Sequence, residues 1–266
     1  NHFASVRLAN ICKEAGVSRF LYSASCSTYG AAGMDSILDE EAAFNPVTPF
    51  GASKVRAEQE IALLADSVFS PTFLRNATAY GFSPKLRADV VLNNLVAAAY
   101  TTGEVLIMSD GTPWRPIVHV ADIANAVVAA IEAPRAAVHD QAFNVGRTSE
   151  NYRVSEIAEI VEEVVPGSRI SYSEGGGPDP RSYRVDCGKI ESSLPGFEAT
   201  WTAQDGAKEL FSAFEEHGLT LEEFDGHRYF RLRQIRRLLD QDRLDNNLRW
   251  RPSISETASA EAQGIE

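Results

Sequence analysis

Apolar residues recur at helical spacing along the opening of the chain (Phe3, Val6, Leu8, Ala9, Ile11, Cys12), and Gly16 supplies a stop. Arg19-Phe20-Leu21-Tyr22-Ser23-Ala24-Ser25 is a short apolar run ending in small polar residues, the pattern of a buried parallel strand. A polar loop from Tyr29-Gly30 to Pro49 leads to a helix over residues 50–66, with Ala57, Ile61, Leu64 and Ala65 as its small and apolar positions. Pro71-Thr72-Phe73-Leu74-Arg75 reads as a strand, followed by a loop through Tyr80-Gly81 and a helix over 89–101. Val105-Leu106-Ile107-Met108 is a strand and Ser109-Asp110-Gly111-Thr112 a turn. Ile117-Val118-His119-Val120 leads into an Ala-rich helix over 122–132, with Asp122 near its N-terminus. Ala142-Phe143-Asn144-Val145-Gly146 is a strand, 155–165 an amphipathic helix closed by Pro166-Gly167, and Arg169-Ile170-Ser171-Tyr172 a strand. Gly175-Gly176-Gly177-Pro178-Asp179-Pro180 reads as a loop, because no strand–glycine–helix spacing surrounds it. Roughly the last 60 residues are helical and charged, and the basic run from Arg228 to Arg237 reads as a solvated helix face.

Strands alternating with helices over the first 150 residues predict an α/β fold with a doubly wound parallel sheet, and the remainder predicts a smaller mixed lobe. The 266 residues suffice for a substantial core, and 44% hydrophobic content is ordinary for a globular protein. A net charge of −12 argues against nonspecific nucleic-acid binding. Cys12, Cys26 and Cys187 are far apart and odd in number, which fits neither a metal motif nor a disulfide framework and points to a reducing cytoplasm. No residues have metal-ligand spacing, no apolar run reaches the length of a membrane span, and no signal peptide is visible. The chain opens directly in a helical pattern without an initiator Met, so a missing N-terminal portion is expected.

Phe50-Gly51-Ala52-Ser53-Lys54 carries the most chemical information. Residues four apart share a helix face, so positions 50 and 54 point the same way. A Tyr at 50 beside Lys54 would be an acid/base pair, the ammonium lowering the phenol pKa toward working pH. Position 50 is Phe, which has the ring but no proton to move.

The order of several blocks resembles the extended short-chain dehydrogenase/reductase family, in its NAD-dependent nucleotide-sugar epimerase/dehydratase branch. Ala15-Gly16-Val17-Ser18-Arg19-Phe20 leads into Ser23-Ala24-Ser25-Cys26-Ser27-Thr28-Tyr29-Gly30, similar to that family's Ser-rich strand end. Phe50 to Lys54 falls where Tyr-x-x-x-Lys belongs. Leu74-Arg75 to Tyr80-Gly81, Asn93-Asn94-Leu95, Trp114 to Asp122 and Phe143-Asn144-Val145-Gly146 follow in order. The resemblance covers residues 1–200 or so and departs from the family twice. The strand, glycine-rich turn and helix that seat a dinucleotide pyrophosphate do not occur, and Phe50 replaces Tyr. By resemblance, residues 1–150 are the C-terminal part of a Rossmann-like cofactor domain, its N-terminal strands missing, with interleaved substrate segments at about 82–118. Residues 151–251 are mainly a substrate lobe with C-terminal helices, and 252–266 a flexible tail.

The resemblance also implies site roles. Ser25 takes the position of the hydroxyl that hydrogen-bonds the sugar oxygen being oxidised, and Phe50 that of the tyrosine. Lys54 takes that of the lysine contacting the nicotinamide ribose, with Ser23 and Asn76 beside the cofactor. Asn94, Arg115 and Arg181 are implied contacts to the substrate diphosphate, where an amide and guanidinium forks suit phosphate oxygens. Thr78 stands where many relatives have Asn. His119 reads as a structural histidine at a strand end, and Tyr80 as a remote substitute phenol. Cys26 and Ser27 stand where dehydratases and decarboxylases carry acidic residues, which favours epimerisation through a 4-keto sugar, or 4-keto reduction. A non-catalytic nucleotide-sugar-binding or interaction protein stays open on account of Phe50 and the absent glycine-rich turn. The implied cofactor is NAD, with NADP open, and its binding is in doubt without the glycine-rich turn. The implied substrate is a nucleotide-diphosphate sugar, and the helices near 1–16 and 50–66 match a homodimer interface.

Overall fold

The computed structural model describes residues 1–31, 36–175, 177, 179 and 181–251. The expected tail, 252–266, and Gly176, Pro178 and Pro180 of the glycine–proline loop lie outside the described residues. In chain order the elements are α1 (His2–Glu14), β1 (Arg19–Ser25), a 3-10 turn (Cys26–Thr28), β2 (Ile37–Leu38), α2 (Pro49–Ala62), β3 (Ser70–Asn76), β4 (Thr78–Tyr80), α3 (Val91–Thr102), β5 (Glu104–Ile107) and β6 (Trp114–His119). There follow α4 (Val120–Glu132), α5 (Arg135–Val138), β7 (Gln141–Val145), β8 (Asn151–Arg153), α6 (Val154–Val164), β9 (Arg169–Tyr172), β10 (Arg184–Val185), α7 (Gly188–Ser193), α8 (Ala203–His217), α9 (Leu221–Asp225) and α10 (Arg231–Asp240).

The main sheet is parallel, in the order β1-β3-β7. Its apolar strands are covered on both faces, as parallel strands require. On one face α1 and α2 pack through Ala9, Ala57 and Ile61 against Tyr22 and Phe73. On the other, α4 and α7 pack through Ala126, Ala130 and Ile190 against Leu74 and Phe143. A separate core joins α3, α6 and α8 over β5, with Leu92, Ile107, Ile157 and Leu210 fully buried. Short parallel ladders β4–β6 and β5–β9 build this outer part, and β8 adds antiparallel to β6. Register sets Ser25 at the end of β1 directly beside Asn76 at the end of β3, which faces Val145 of β7. Among the described residues no helix is long and apolar enough to cross a membrane.

Several boundaries differ from the sequence reading for local reasons. The helix expected over 50–66 stops at Ala62. Asp66 Oδ1 accepts from the amides of Val68 and Phe69, both at 2.8 Å, and this side-chain turn competes with further helix. The loop expected at Tyr80 is the short strand β4, and a two-residue strand, β2, lies within the polar loop before α2. Asp122 does not cap α4. His119 does, accepting from Ala121 N, while Asp122 accepts from the amides of Thr200 and Trp201 and so ties α4 to the chain entering α8.

Gly206 of α8 lets that helix close onto Tyr80. A Cβ there would sit 2.1 Å from the Tyr80 ring, which is fully buried. Gly206→Ala is therefore expected to destabilise the fold by about 1–3 kcal/mol through overpacking, despite the better helix propensity of Ala. The shift of the urea midpoint measures this.

Candidate active site

The carboxyl ends of β1 and β3 open into a cleft of about 1110 Å³. In open parallel sheets such crevices are where ligands bind. Ser23, Ser25, Phe50, Lys54, Asn76, Asn94, Arg115 and Arg181 all line it, as do Thr78 and Tyr80. His119 is not among its lining residues.

Local chemistry brings α2 to this point. Thr48 caps the helix by accepting from Gly51 N at 3.0 Å, and Pro49 occupies the first turn, where its missing N–H costs nothing. Gly51 allows close approach to the turn after Ser25, since a Cβ there would lie 2.7 Å from the Ser27 carbonyl oxygen. Deeper in α2, Glu58 is buried against Arg75 of β3, whose Nε and Nη2 donate to Glu58 Oε1 at 3.0 and 2.5 Å. Arg75 Nη1 also donates to Tyr29 Oη and to the Glu40 carbonyl, both at 2.9 Å, and Tyr29 Oη donates to Asn144 Oδ1 at 2.7 Å. This buried network locks α2, β3, β7 and the loop after β1 together.

At the top of that scaffold Lys54 Nζ donates to the Ser23 carbonyl at 2.6 Å. The ammonium lies 4.8 Å from the centroid of the Tyr22 ring and 5.7 Å from that of Phe50. Burial pushes the Lys54 pKa down from its ordinary value. Phe50 is 48% exposed, a large apolar ring left open to the cleft. Asn76 Nδ2 donates to Ser23 Oγ at 3.0 Å, and Ser25 Oγ accepts from Ser27 N at 3.2 Å. Ser23 therefore links β3 to α2, its side chain meeting Asn76 and its carbonyl Lys54.

Asn76 and Ser27, which line the cleft, each have a buried side-chain oxygen (Oδ1 and Oγ) without a hydrogen-bond partner among the described residues. Buried polar groups are normally satisfied, so such a set marks where a ligand's groups fit. Tyr80 serves poorly as a proton carrier, because burial, with Glu150 and Asp122 nearby, pushes its phenol far above the ordinary value. His119 has both nitrogens engaged, Nε2 with Glu209 at 2.8 Å and Nδ1 with Ala121 N, and stacks on Trp201 at 3.8 Å.

Elsewhere in the cleft lining Arg115 and Arg181 share one carboxylate. Asp179 Oδ2 accepts from Arg115 Nη2 and Arg181 Nη2, each at 2.6 Å, while Oδ1 accepts from the backbone N and Nε of Arg181, each at 2.9 Å. Arg115 Nη1 also donates to the carbonyls of Trp114, at 2.9 Å, and Arg181. Burial opposes charge on Asp179, but the bonds from Arg181 outweigh it and its pKa falls below the ordinary carboxylate value. Asn94 donates to the Ala88 carbonyl at 2.9 Å, which leaves its second amide hydrogen for a ligand.

The sequence reading missed Asp179. Its position two residues before Arg181 was a readable signal for a side-chain-to-backbone turn, but its pairing with Arg115 spans 64 residues of sequence. Cys26 and Ser27 also separate. The Cys26 thiol is buried and donates to the Arg75 carbonyl at 2.9 Å, whereas Ser27 lines the cleft.

A family model described as "NAD dependent epimerase/dehydratase family" matches residues 1–146. The UDP-glucose 4-epimerase of Bacillus subtilis is 28% identical over 220 residues, covering 76% of this chain and 63% of the relative. That of Corynebacterium glutamicum is 28% identical over 177 residues, covering 62% of this chain and 53% of the relative. Among solved structures, MoeE5 in complex with UDP-glucuronic acid and NAD is 29% identical with a TM-score of 0.71, covering 82% of this chain and 72% of that one. The UDP-glucuronic acid 4-epimerase from Bacillus cereus, at 20% identity, shares the fold with a TM-score of 0.70, covering 81% of this chain and 67% of that one. The chain thus spans less than two thirds of the length of the two curated relatives named.

Proposed function

Since this chain belongs to the NAD dependent epimerase/dehydratase family, we propose that it is the substrate-binding and catalytic portion of a nucleotide-sugar 4-epimerase-like oxidoreductase whose proton transfer is impaired. The observation that carries this reading is that Ser25, Phe50, Lys54, Asn94, Arg115 and Arg181 all line a single cleft. A hydroxyl, a ring and an amine suit a sugar carbon being oxidised, and two guanidiniums suit a diphosphate. Relatives named UDP-glucose 4-epimerase support the same class.

In this reading Arg115, Arg181 and Asn94 bind the diphosphate and fix the sugar's position, which is the larger part of holding a reactive geometry. Ser25 Oγ holds the hydroxyl at C4. NAD supplies the hydride acceptor when bound. The orphaned Asn76 Oδ1, Ser23 and the Lys54 ammonium fit its nicotinamide end. The sequence offers no glycine-rich turn for its pyrophosphate. Removal of the C4 hydroxyl proton then falls to position 50, where Phe50 has no acceptor. The 4-keto sugar forms slowly because the proton has no matched carrier, only Ser25 and solvent.

A second reading, a non-catalytic nucleotide-sugar binder, is favoured by Phe50 and by the absence of a glycine-rich turn from this sequence. A reducing cytoplasm is the compartment proposed, on the strength of three free cysteines. A homodimer through α1 and α2 is proposed from the apolar side chains these helices leave exposed, Phe3, Leu8, Ile11 and, at the end of α2, Leu63. Isothermal titration of the chain with UDP, dTDP and NAD tests the binding part. Micromolar binding of a nucleoside diphosphate is expected, and its absence overturns the assignment of the cleft.

A further inference from the structure

The basic run before and within α10 is not uniformly a solvated face. Arg228 pairs with Glu223 at 2.7 Å, Arg233 Nη1 donates to the Asp225 carbonyl, and Arg237 meets His227. Arg231, the first residue of α10, has no side-chain hydrogen bond or ion pair among the described residues, and it lines the cleft. Backbone bonding places it there. Ala88 N donates to the Tyr229 carbonyl at 3.0 Å, and the Ala88 carbonyl accepts the Asn94 side chain. One alanine thus joins the residue proposed to hold the diphosphate to the segment that carries Arg231.

Charge points the same way. The chain carries −12 overall, yet among the described residues its cleft is lined by Lys54, Lys85, Arg87, Arg115, Arg181 and Arg231 against two carboxylates, Asp89 and Asp179. Both acids are already paired with arginines. Cations gathered in a concave site on an acidic protein focus an attractive field on an anion.

We propose that Arg231 is a third guanidinium ligand for the diphosphate of the nucleotide sugar, delivered to the cleft by the C-terminal helix. This rests on the nucleotide-sugar reading and adds to it a residue well outside the region matched by the family model. α10 has no buried residues, so substitutions at 231 leave the core untouched.

The test is titration of UDP into the chain and its variants at fixed ionic strength. Arg231→Gln is expected to weaken binding about tenfold, the scale of one lost charge-assisted hydrogen bond, and to make the remaining affinity less sensitive to salt. Arg231→Lys should recover part of the loss, and Arg228→Gln should change nothing. If the unsubstituted chain binds UDP and Arg231→Gln binds it equally well, this assignment is overturned while the reading of the cleft stands. If the unsubstituted chain does not bind UDP, the reading of the cleft fails and takes Arg231 with it.

Discussion

Phe50→Tyr is expected to raise the rate of nucleotide-sugar interconversion by about 10²- to 10⁴-fold, the usual worth of a positioned general acid/base. The ring at 50 already lies in the cleft, half exposed, with the Lys54 ammonium 5.7 Å from its centroid. A hydroxyl added to that ring needs no backbone movement. The nearby positive charge favours the phenolate, so the variant's rate should climb with pH as the phenol ionises and then level off. The unsubstituted protein should lack that limb of the profile. The assay follows UDP- or dTDP-hexose interconversion by the protein, with NAD affinity measured in parallel. Unchanged turnover in a variant that still binds NAD contradicts the role given to position 50.

The second large effect concerns stability. Glu58→Ala is expected to cost about 3–5 kcal/mol, because it leaves the Arg75 guanidinium buried without its carboxylate. The side chains of Arg75 and Glu58 are 7% and 6% exposed, and water cannot readily take the place of either. The loss should sit at the lower end of that range, since Glu58 Oε2 is itself buried without a partner. Replacing both residues with apolar ones of similar volume (Glu58→Leu with Arg75→Met) should recover much of the loss, the non-additivity expected of a buried pair. Urea denaturation of Glu58→Leu, Arg75→Met and the double variant measures the cycle, with Glu58→Ala alongside. A Glu58→Ala cost near zero contradicts the view that this pair pins α2, and with it Lys54, to the sheet.

The legible parts of the fold were those with enough residues to show a period. β1 and β3, at seven residues each, and α3, α4 and α6, at eleven to thirteen, emerged within two residues of their observed ends. β2 and β10 have two residues each, and two positions carry no alternation to read. The site divided in a similar way. Phe50 and Lys54 are four apart on one helix, so their juxtaposition followed from local geometry. Ser25 and Asn76 became neighbours only through strand register, and Asp179 joined Arg115 to Arg181 only through the folded loop. Arg231 was read as part of a charge run because the bond from Ala88 that brings its segment to the cleft spans the chain from α3's entry to the C-terminal helices.

In the reading proposed, one cleft holds a nucleoside diphosphate by its arginines and presents the sugar to Ser25 and position 50. A crystal structure of the protein with a bound UDP-hexose tests it most directly. The diphosphate is expected between Asn94 and the Arg115–Arg181 pair, with the sugar's C4 oxygen within hydrogen-bond reach of Ser25 Oγ and against the Phe50 ring. A nucleotide seated outside this cleft, or a sugar turned away from Ser25, would contradict it.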